Sequence, residues 1–294
     1  MQWTRPTIGR LWSKGARLSW RARRQAAAAV NWEAGREAWV RTHAPGRSFA
    51  DVGGLFKLVG DMAFLAEAVG AKPVTLFDVG DIDLPSEGHL EWGSFQEKRE
   101  ARGSSVRYVQ GDLEDPCTPE RVGVHDLVFY SGVLYHTPNP VLQLLQLRQI
   151  TGKLLYLSTL TIPEVPGFPQ ACVFYPYLDE RARHPYAAGY GWSGDLLGVG
   201  RPIDERPMYG FGNCYWGITR SALRAMLRTA RFEVVEERAL PVAPWATELV
   251  CRPLPLAPLL PPVDYFRQRG EALARGEGRL PFATWYEEHP PPGV

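Results

Sequence analysis

Between residues 48 and 160 the chain alternates short β-rich runs with longer helical patterns, and no other feature restricts its fold as much. SFADVG (48–53), VTLFDVG (74–80), VRYVQGD (106–112), DLVFYSGV (126–133) and KLLYLSTL (153–160) read as strands. LFKLVGDMAFLAEAVGA fills the first gap, with Leu58, Met62, Leu65 and Val69 at helical spacing. EGHLEWGSFQEKREARG fills the second and is polar enough for a solvent-side helix. NPVLQLLQLRQIT follows the fourth run, with Pro140 suited to a first helical turn. Strands joined through helices make a parallel sheet with helices on both faces.

The pattern breaks after residue 160. Residues 161–218 are rich in proline, glycine and aromatic side chains. A structureless loop of that length is unusual inside a compact domain, so the segment is expected to be an insertion that covers something. Regular patterning then resumes with TRSALRAMLRTARF as a helix and EVVEERAL and ATELVCRPL as strands. The expected organisation is a basic helical N-terminal extension (1–46), a main domain (47–252) with its insertion (161–218), and a proline-rich tail (253–294) holding a helical segment near DYFRQRGEALARG. The expected fold is α/β and Rossmann-like: a doubly wound, mostly parallel sheet of about seven strands, the last one antiparallel.

Charge and cysteine usage narrow the partners. The net charge of +1 hides a basic arm: residues 1–24 carry seven basic side chains and no acid, leaving the remainder net acidic. With Trp3, Trp12 and Trp20 the arm could touch RNA or an anionic membrane surface, or pack as a solvated helix; the acidic body argues against an extended nucleic-acid surface. No run approaches the ~18 apolar residues of a membrane-spanning helix. AAAAV is too short for a secretory core. Cys117, Cys172, Cys214 and Cys251 are scattered without a CxxC pair, which fits a reducing cytoplasm and predicts no metal site.

Ligands of an open parallel sheet bind beyond the carboxyl ends of its strands. Three acids fall at or near that edge: Asp51, Asp78 and Asp112. Asp78 is placed to accept from both hydroxyls of a ribose. Asp112, with Leu113 beside it, suits an exocyclic amine such as that of adenine. Asp51 stands next to Gly53 and Gly54, where a carboxylate repels a pyrophosphate and attracts an ammonium group. The turn has no GxGxxG, and APGRSFA lacks both the lysine and the leading glycine of a phosphate loop. A ribose, an adenine, an amino acid and no phosphate together describe S-adenosylmethionine. Each acid taken alone is as well explained by a helix cap or a surface turn.

FADVGG, LFDVGD, GDLEDP and HDLVFYSGVLYHTPNP together resemble the ordered motifs of class I S-adenosylmethionine-dependent methyltransferases, over about residues 47–252. SGVLYHTPNP is the most specific part and is similar to a VLYH-containing group that includes the tRNA wobble-uridine carboxymethyltransferase. NCYWGITRSALRAMLRTARFEVVEE is similar to that group's later strand, helix and turn. The resemblance implies that Asp51, Gly53 and Gly54 line the methionine portion, Asp78 the ribose and Asp112 the adenine. It also implies that Ser131 passes under the sulfonium and that Tyr135 contacts the cofactor, with S-adenosylhomocysteine as product.

Methyl transfer from a sulfonium needs alignment and desolvation, with a base only where the acceptor holds its proton too tightly. His136 is positioned for that base; it could equally cap the next turn or pack against Pro138. Tyr135 is expected to shape the pocket. Tyr175, Tyr190, Trp192, Tyr209, Phe211, Asn213, Tyr215 and Trp216 would make an aromatic wall around a small-molecule acceptor or the insertion's own core. Asn213 and Tyr215 are the first choices for acceptor contact, and Arg201 and Arg206 would suit an anionic one. The expected activity is methyl transfer to a small molecule such as a natural product, sugar or glycan. RNA modification, by methyl or carboxymethyl transfer, is the rival. A catalytically inert nucleoside-binding module is another, motivated by GGLFK in place of a third motif glycine.

Overall fold

The computed structural model describes residues 32–56, 59–84, 93–179, 181–182, 213–239, 246–255 and 263–277. The chain divides into two units, residues 1–254 and 255–294. In the second, the described element is helix α7 (Val263–Ala274).

The first unit is built on a seven-stranded sheet in the order β3-β2-β1-β4-β5-β9-β8. Its strands are β1 (Phe49–Val52), β2 (Val74–Asp78), β3 (Arg107–Gln110), β4 (His125–Ser131), β5 (Thr151–Leu160), β8 (Phe232–Ala239) and β9 (Ala246–Pro253). The pairings β1–β2, β1–β4, β2–β3 and β4–β5 are parallel, and β9 is antiparallel to both β5 and β8. The last strand of this sheet in chain order is therefore antiparallel, as expected. It does not close the sheet, however: it inserts between β5 and the edge strand β8.

Strand alternation sorts the side chains into two cores. On one face Phe49, Leu76, Phe129, Tyr156 and Val250 pack beneath α1 (Trp32–His43), α2 (Asp61–Ala68) and α3 (Phe95–Arg102). On the other, Ala50, Val52, Phe77, Val128, Leu157 and Leu249 pack against α5 (Pro140–Ile150) and α6 (Arg220–Thr229), with the short α4 (Thr118–Val122) alongside. Trp39 pins α1 to the sheet through the rings of Tyr156 and Phe129, with centroids 5.1 and 6.4 Å away. Arg36 of the same helix reaches the far strands, bonding Ser158 Oγ at 3.1 Å and standing 3.7 Å from the buried carboxylate of Glu248.

Local chemistry sets the helix ends. Ser94 and Glu97 form a reciprocal capping box on α3, and the Thr219 hydroxyl caps α6 by accepting from the Ala222 N–H. Pro140 does stand in the first turn of α5. The first expected helix is shorter than its apolar spacing implied. Val59 and Gly60 take left-handed backbone angles (φ +48° and +81°), which a right-handed helix cannot continue, so α2 begins only at Asp61. Lys57 and Leu58 lie outside the described residues.

The insertion supplies a second, two-stranded sheet of β6 (Cys172–Phe174) and β7 (Trp216–Ile218), paired antiparallel. Residues 183–212 lie outside the described residues.

Trp39→Ala is expected to destabilise the chain by about 3–5 kcal/mol, read by urea unfolding, because it empties the contact between α1 and the aromatic face of the sheet.

Candidate functional site at the carboxyl rim of the sheet

A parallel sheet buried on both faces leaves its strand ends as the place where polar side chains converge. Asp51 shares the face of Phe49, and Asp78 that of Leu76, so both acids lie on the side covered by α1 to α3. Asp51 stands one residue before the end of β1 and Asp78 at the end of the adjacent β2. They flank one peptide. The Asp78 carboxylate accepts the Leu55 N–H at 2.9 Å and the Gly80 N–H at 2.9 Å, tying the turn after β1 to the turn after β2. Asp51 lies under Gly54, where an added Cβ would come within 2.4 Å of its Oδ2 and 2.6 Å of Leu76 Cδ1. Glycine at 54 is required by that close approach rather than by its backbone angle.

The electrostatics follow from burial. Asp51 is 3% exposed. Burial first, then the neighbouring Asp78 and Asp61, push its carboxyl up to about 7, against the Ala63 N–H that favours the charged form. Burial also raises Asp78, opposed by backbone bonds from Leu55, Gly80 and Val79. Of the two, Asp78 has the better claim to the negative charge.

Asp112 is brought to the same rim, but differently. It stands two residues past β3, exposed, with Oδ1 accepting the Glu114 N–H at 2.9 Å in a tight turn. The Gly111 N–H bonds the Asp78 carbonyl at 2.9 Å, which holds this turn next to that of Asp78. Leu113 is buried in the core on the opposite face of the sheet.

The loop after β4 completes the site. Gly53 (φ +78°) packs on Val133, whose Cγ2 would lie 2.4 Å from an added Cβ. Ser131 pairs in register with Ser158 of β5. Leu134, Tyr135 and His136 form one turn of 3₁₀ helix. His136 Nδ1 lies 2.8 Å from the Asn213 carbonyl. A carbonyl only accepts, so Nδ1 carries the proton and Nε2 is the basic nitrogen of the neutral ring. The segment leading into β7 is fastened alongside: the Tyr215 N–H donates to the Tyr135 carbonyl at 2.8 Å and Trp216 Nε1 to the Pro138 carbonyl at 3.0 Å. Asn213 thus meets His136 itself while Tyr215 and Trp216 bond its neighbours Tyr135 and Pro138, whereas Tyr175 is buried with Tyr135 and Cys214 in a small separate core. Tyr190, Trp192, Arg201, Arg206, Tyr209 and Phe211 lie outside the described residues.

Several residues here went unmarked in the sequence. Glu114 accepts from the Thr137 hydroxyl and, at 2.6 Å, from Asn139 Nδ2, joining the turn after β3 to the loop after β4. Tyr108 sets its hydroxyl against the carbonyls of Asp78 and Gly80. Gly60 supplies a left-handed glycine at the start of α2, with the Phe95 ring 2.6 Å from where its Cβ would be. GGLFKLVG was a readable signal for it: the turn is longer than expected, and its last glycine falls later. Among the described residues no group of His, Cys, Asp and Glu is arranged to hold a metal ion, and no helix is long and apolar enough to cross a membrane.

No family model and no curated protein matches the chain. Solved structures do. The N-terminal domain of EvdMO1, with SAH bound, is 18% identical, with 77% of this chain and 82% of that one covered at a TM-score of 0.47. An O-methyltransferase family protein from Burkholderia thailandensis is 16% identical, with 80% and 60% covered at 0.48. Magnesium protoporphyrin IX methyltransferase (ChlM) from Synechocystis PCC 6803, with bound SAH, is 16% identical, with 83% and 92% covered at 0.44. The doubly wound fold of this chain stands on its own strand order.

The raised Asp51 carboxyl gives a signed stability prediction. Its contribution is full below the unfolded-state value near 4 and is lost as pH rises through about 7. Asp51→Asn is therefore expected to stabilise the ligand-free chain, by an amount that grows between pH 5 and pH 8 to roughly 1–3 kcal/mol, in thermal unfolding.

Proposed function

We propose that the chain is an S-adenosylmethionine-dependent methyltransferase acting on a small molecule. One observation carries this reading. Asp51 and Asp78 flank the Gly54–Leu55 peptide at the carboxyl rim of a parallel sheet, and a carboxylate beside that turn opposes a phosphate and favours an ammonium. Asp78 would hold the ribose through the acceptor capacity left after its two backbone bonds, and Asp51 the amino-acid end. The exposed Asp112 would take the adenine amine. Leu113, turned into the core, would serve the adenine through its backbone alone. Gly53 and Ser131 would border the donor, and Tyr135, buried beside Gly132, would shape its pocket.

The donor supplies an activated methyl group, and the chain's residues supply alignment. Bound in this way, the sulfonium would lie toward the loop after β4, and the acceptor between that loop and the segment leading into β7. His136, with Nδ1 directed to the Asn213 carbonyl, would present Nε2 to the acceptor and take its proton as the new bond forms. Asn213, Tyr215 and Trp216 would frame the acceptor, and Tyr209 with them. A small-molecule acceptor is favoured by the aromatic content of the insertion and the acidic balance outside the first 24 residues. Structures similar to this chain include a didemethyltoxoflavin N-methyltransferase crystallised with didemethyltoxoflavin and S-adenosylhomocysteine. We further propose the domain limits given from the sequence and a cytoplasmic location.

Two experiments test the reading. Calorimetry with S-adenosylmethionine and S-adenosylhomocysteine is expected to give one site per chain, and absence of binding by both ligands defeats the proposal. Once an acceptor is found, His136→Ala should lower kcat by about 10²–10⁴-fold while leaving the S-adenosylhomocysteine dissociation constant within a few-fold. Unchanged turnover removes the base role.

A further inference from the structure

Two carboxyl groups, Asp51 buried and Asp78 half-buried, stand at or beside the ends of adjacent strands with a single peptide between them, and they are unequally provided for. Asp78 has a backbone N–H on each oxygen, from Leu55 and Gly80. Asp51 has the Ala63 N–H in the first turn of α2. The charged groups around Asp51 can be followed element by element. β2 contributes Asp78 and α2 contributes Asp61, both of which oppose a second negative charge. α3 contributes Lys98, which is engaged by Asp61 at 3.4 Å. β4 presents Phe129 in register with Asp51, and the loop beyond it presents the Tyr135 phenol near Gly132. α1 directs its Arg36 away, to Ser158 and Glu248. Among the described residues, then, no cation is seen to balance Asp51. Like charges held this close in a site of low polarity do not both ionise.

We propose that Asp51 is a neutral carboxylic acid in the ligand-free protein and gives up its proton when the ammonium group of the cofactor's amino-acid end binds. This rests on the cofactor reading above and deepens it. The exchange balances: a carboxylic acid and an alkylammonium become a carboxylate–ammonium pair, and one proton passes to solvent. The burial that destabilises a lone carboxylate then strengthens the ion pair, because a charged partner in the same dry site takes the place of water. Affinity for the amino-acid end should rise with pH up to the value at which Asp51 ionises unaided, about 7, and flatten above it.

The test is calorimetric, on the full chain at pH 7, with S-adenosylhomocysteine titrated in phosphate and in Tris, whose ionisation enthalpies differ. The expected result is a buffer-dependent enthalpy corresponding to release of about half a proton per ligand. The release should grow toward one at about pH 6 and be nearly gone by about pH 8, above which the ligand's own amino group begins to take up a proton on binding. 5′-Methylthioadenosine, which has the nucleoside but no ammonium, should bind more weakly and release none. Asp51→Asn should weaken S-adenosylhomocysteine binding by about tenfold or more, with no buffer dependence left. Equal enthalpies in the two buffers, with tight binding retained, overturn the proton exchange and leave the cofactor reading standing. The same release with 5′-methylthioadenosine, or release persisting in Asp51→Asn, overturns the assignment to Asp51 and the ammonium. Absence of binding by either nucleoside defeats the cofactor reading itself. Should the Asn variant fail to fold, the wild-type contrast between the two ligands decides the matter alone.

Discussion

The Asp78 carboxylate, shared between the N–H groups of Leu55 and Gly80, is the interaction on which the rim of the sheet depends. Parallel strands must all end on the same side, and the chain leaving each end carries unpaired backbone donors. Asp78 collects two of them and so fixes the turns after β1 and β2 relative to each other. Gly111 then bonds the Asp78 carbonyl, and Glu114 ties the turn after β3 to Thr137 and Asn139 beyond β4. Four strand ends are thereby drawn into one connected surface. A ligand placed there meets groups already held in position, so little ordering remains to oppose binding.

The same construction concentrates negative charge. Asp51, Asp61 and Asp78 gather around one short stretch of chain, and Lys98 offsets Asp61 alone. A site of this kind is uncomfortable when empty and relieved by a cation. Such a conflict between local stability and charge is characteristic of functional sites rather than of structural cores. Elsewhere on the rim, the loop after β4 is backed by the segment leading into β7, where Asn213 holds His136 through its Nδ1 and Tyr215 and Trp216 bond Tyr135 and Pro138. On the proposed reading, the sheet would make the donor side and the insertion the acceptor side, so each could vary without dismantling the other.

Much of this was legible in the chain. The main-sheet strands fall where apolar runs stand between helical stretches, because strands buried on both faces need little polar alternation. Pro140 and the Ser94–Glu97 pair mark helix starts by local chemistry. Other features were not legible. The spacing of Leu58, Met62, Leu65 and Val69 describes a helix longer than the one that forms, since periodicity does not register the left-handed backbone at Val59 and Gly60. Asp112 shares a sequence pattern with Asp51 and Asp78, but it stands exposed in a turn, whereas Asp51 is buried and Asp78 half-buried.

Composition and periodicity by themselves determined the class of fold, the order of its elements and the identity of the acids at the strand ends, because these depend on side chains a few residues apart. Tertiary structure alone decided that β9 inserts beside β5, that Asp51 and Asp78 share one face around a single peptide, and that Asn213 orients His136 from 77 residues away. Those are contacts between distant segments. Their energies come from burial and neighbouring charge, which no local pattern encodes.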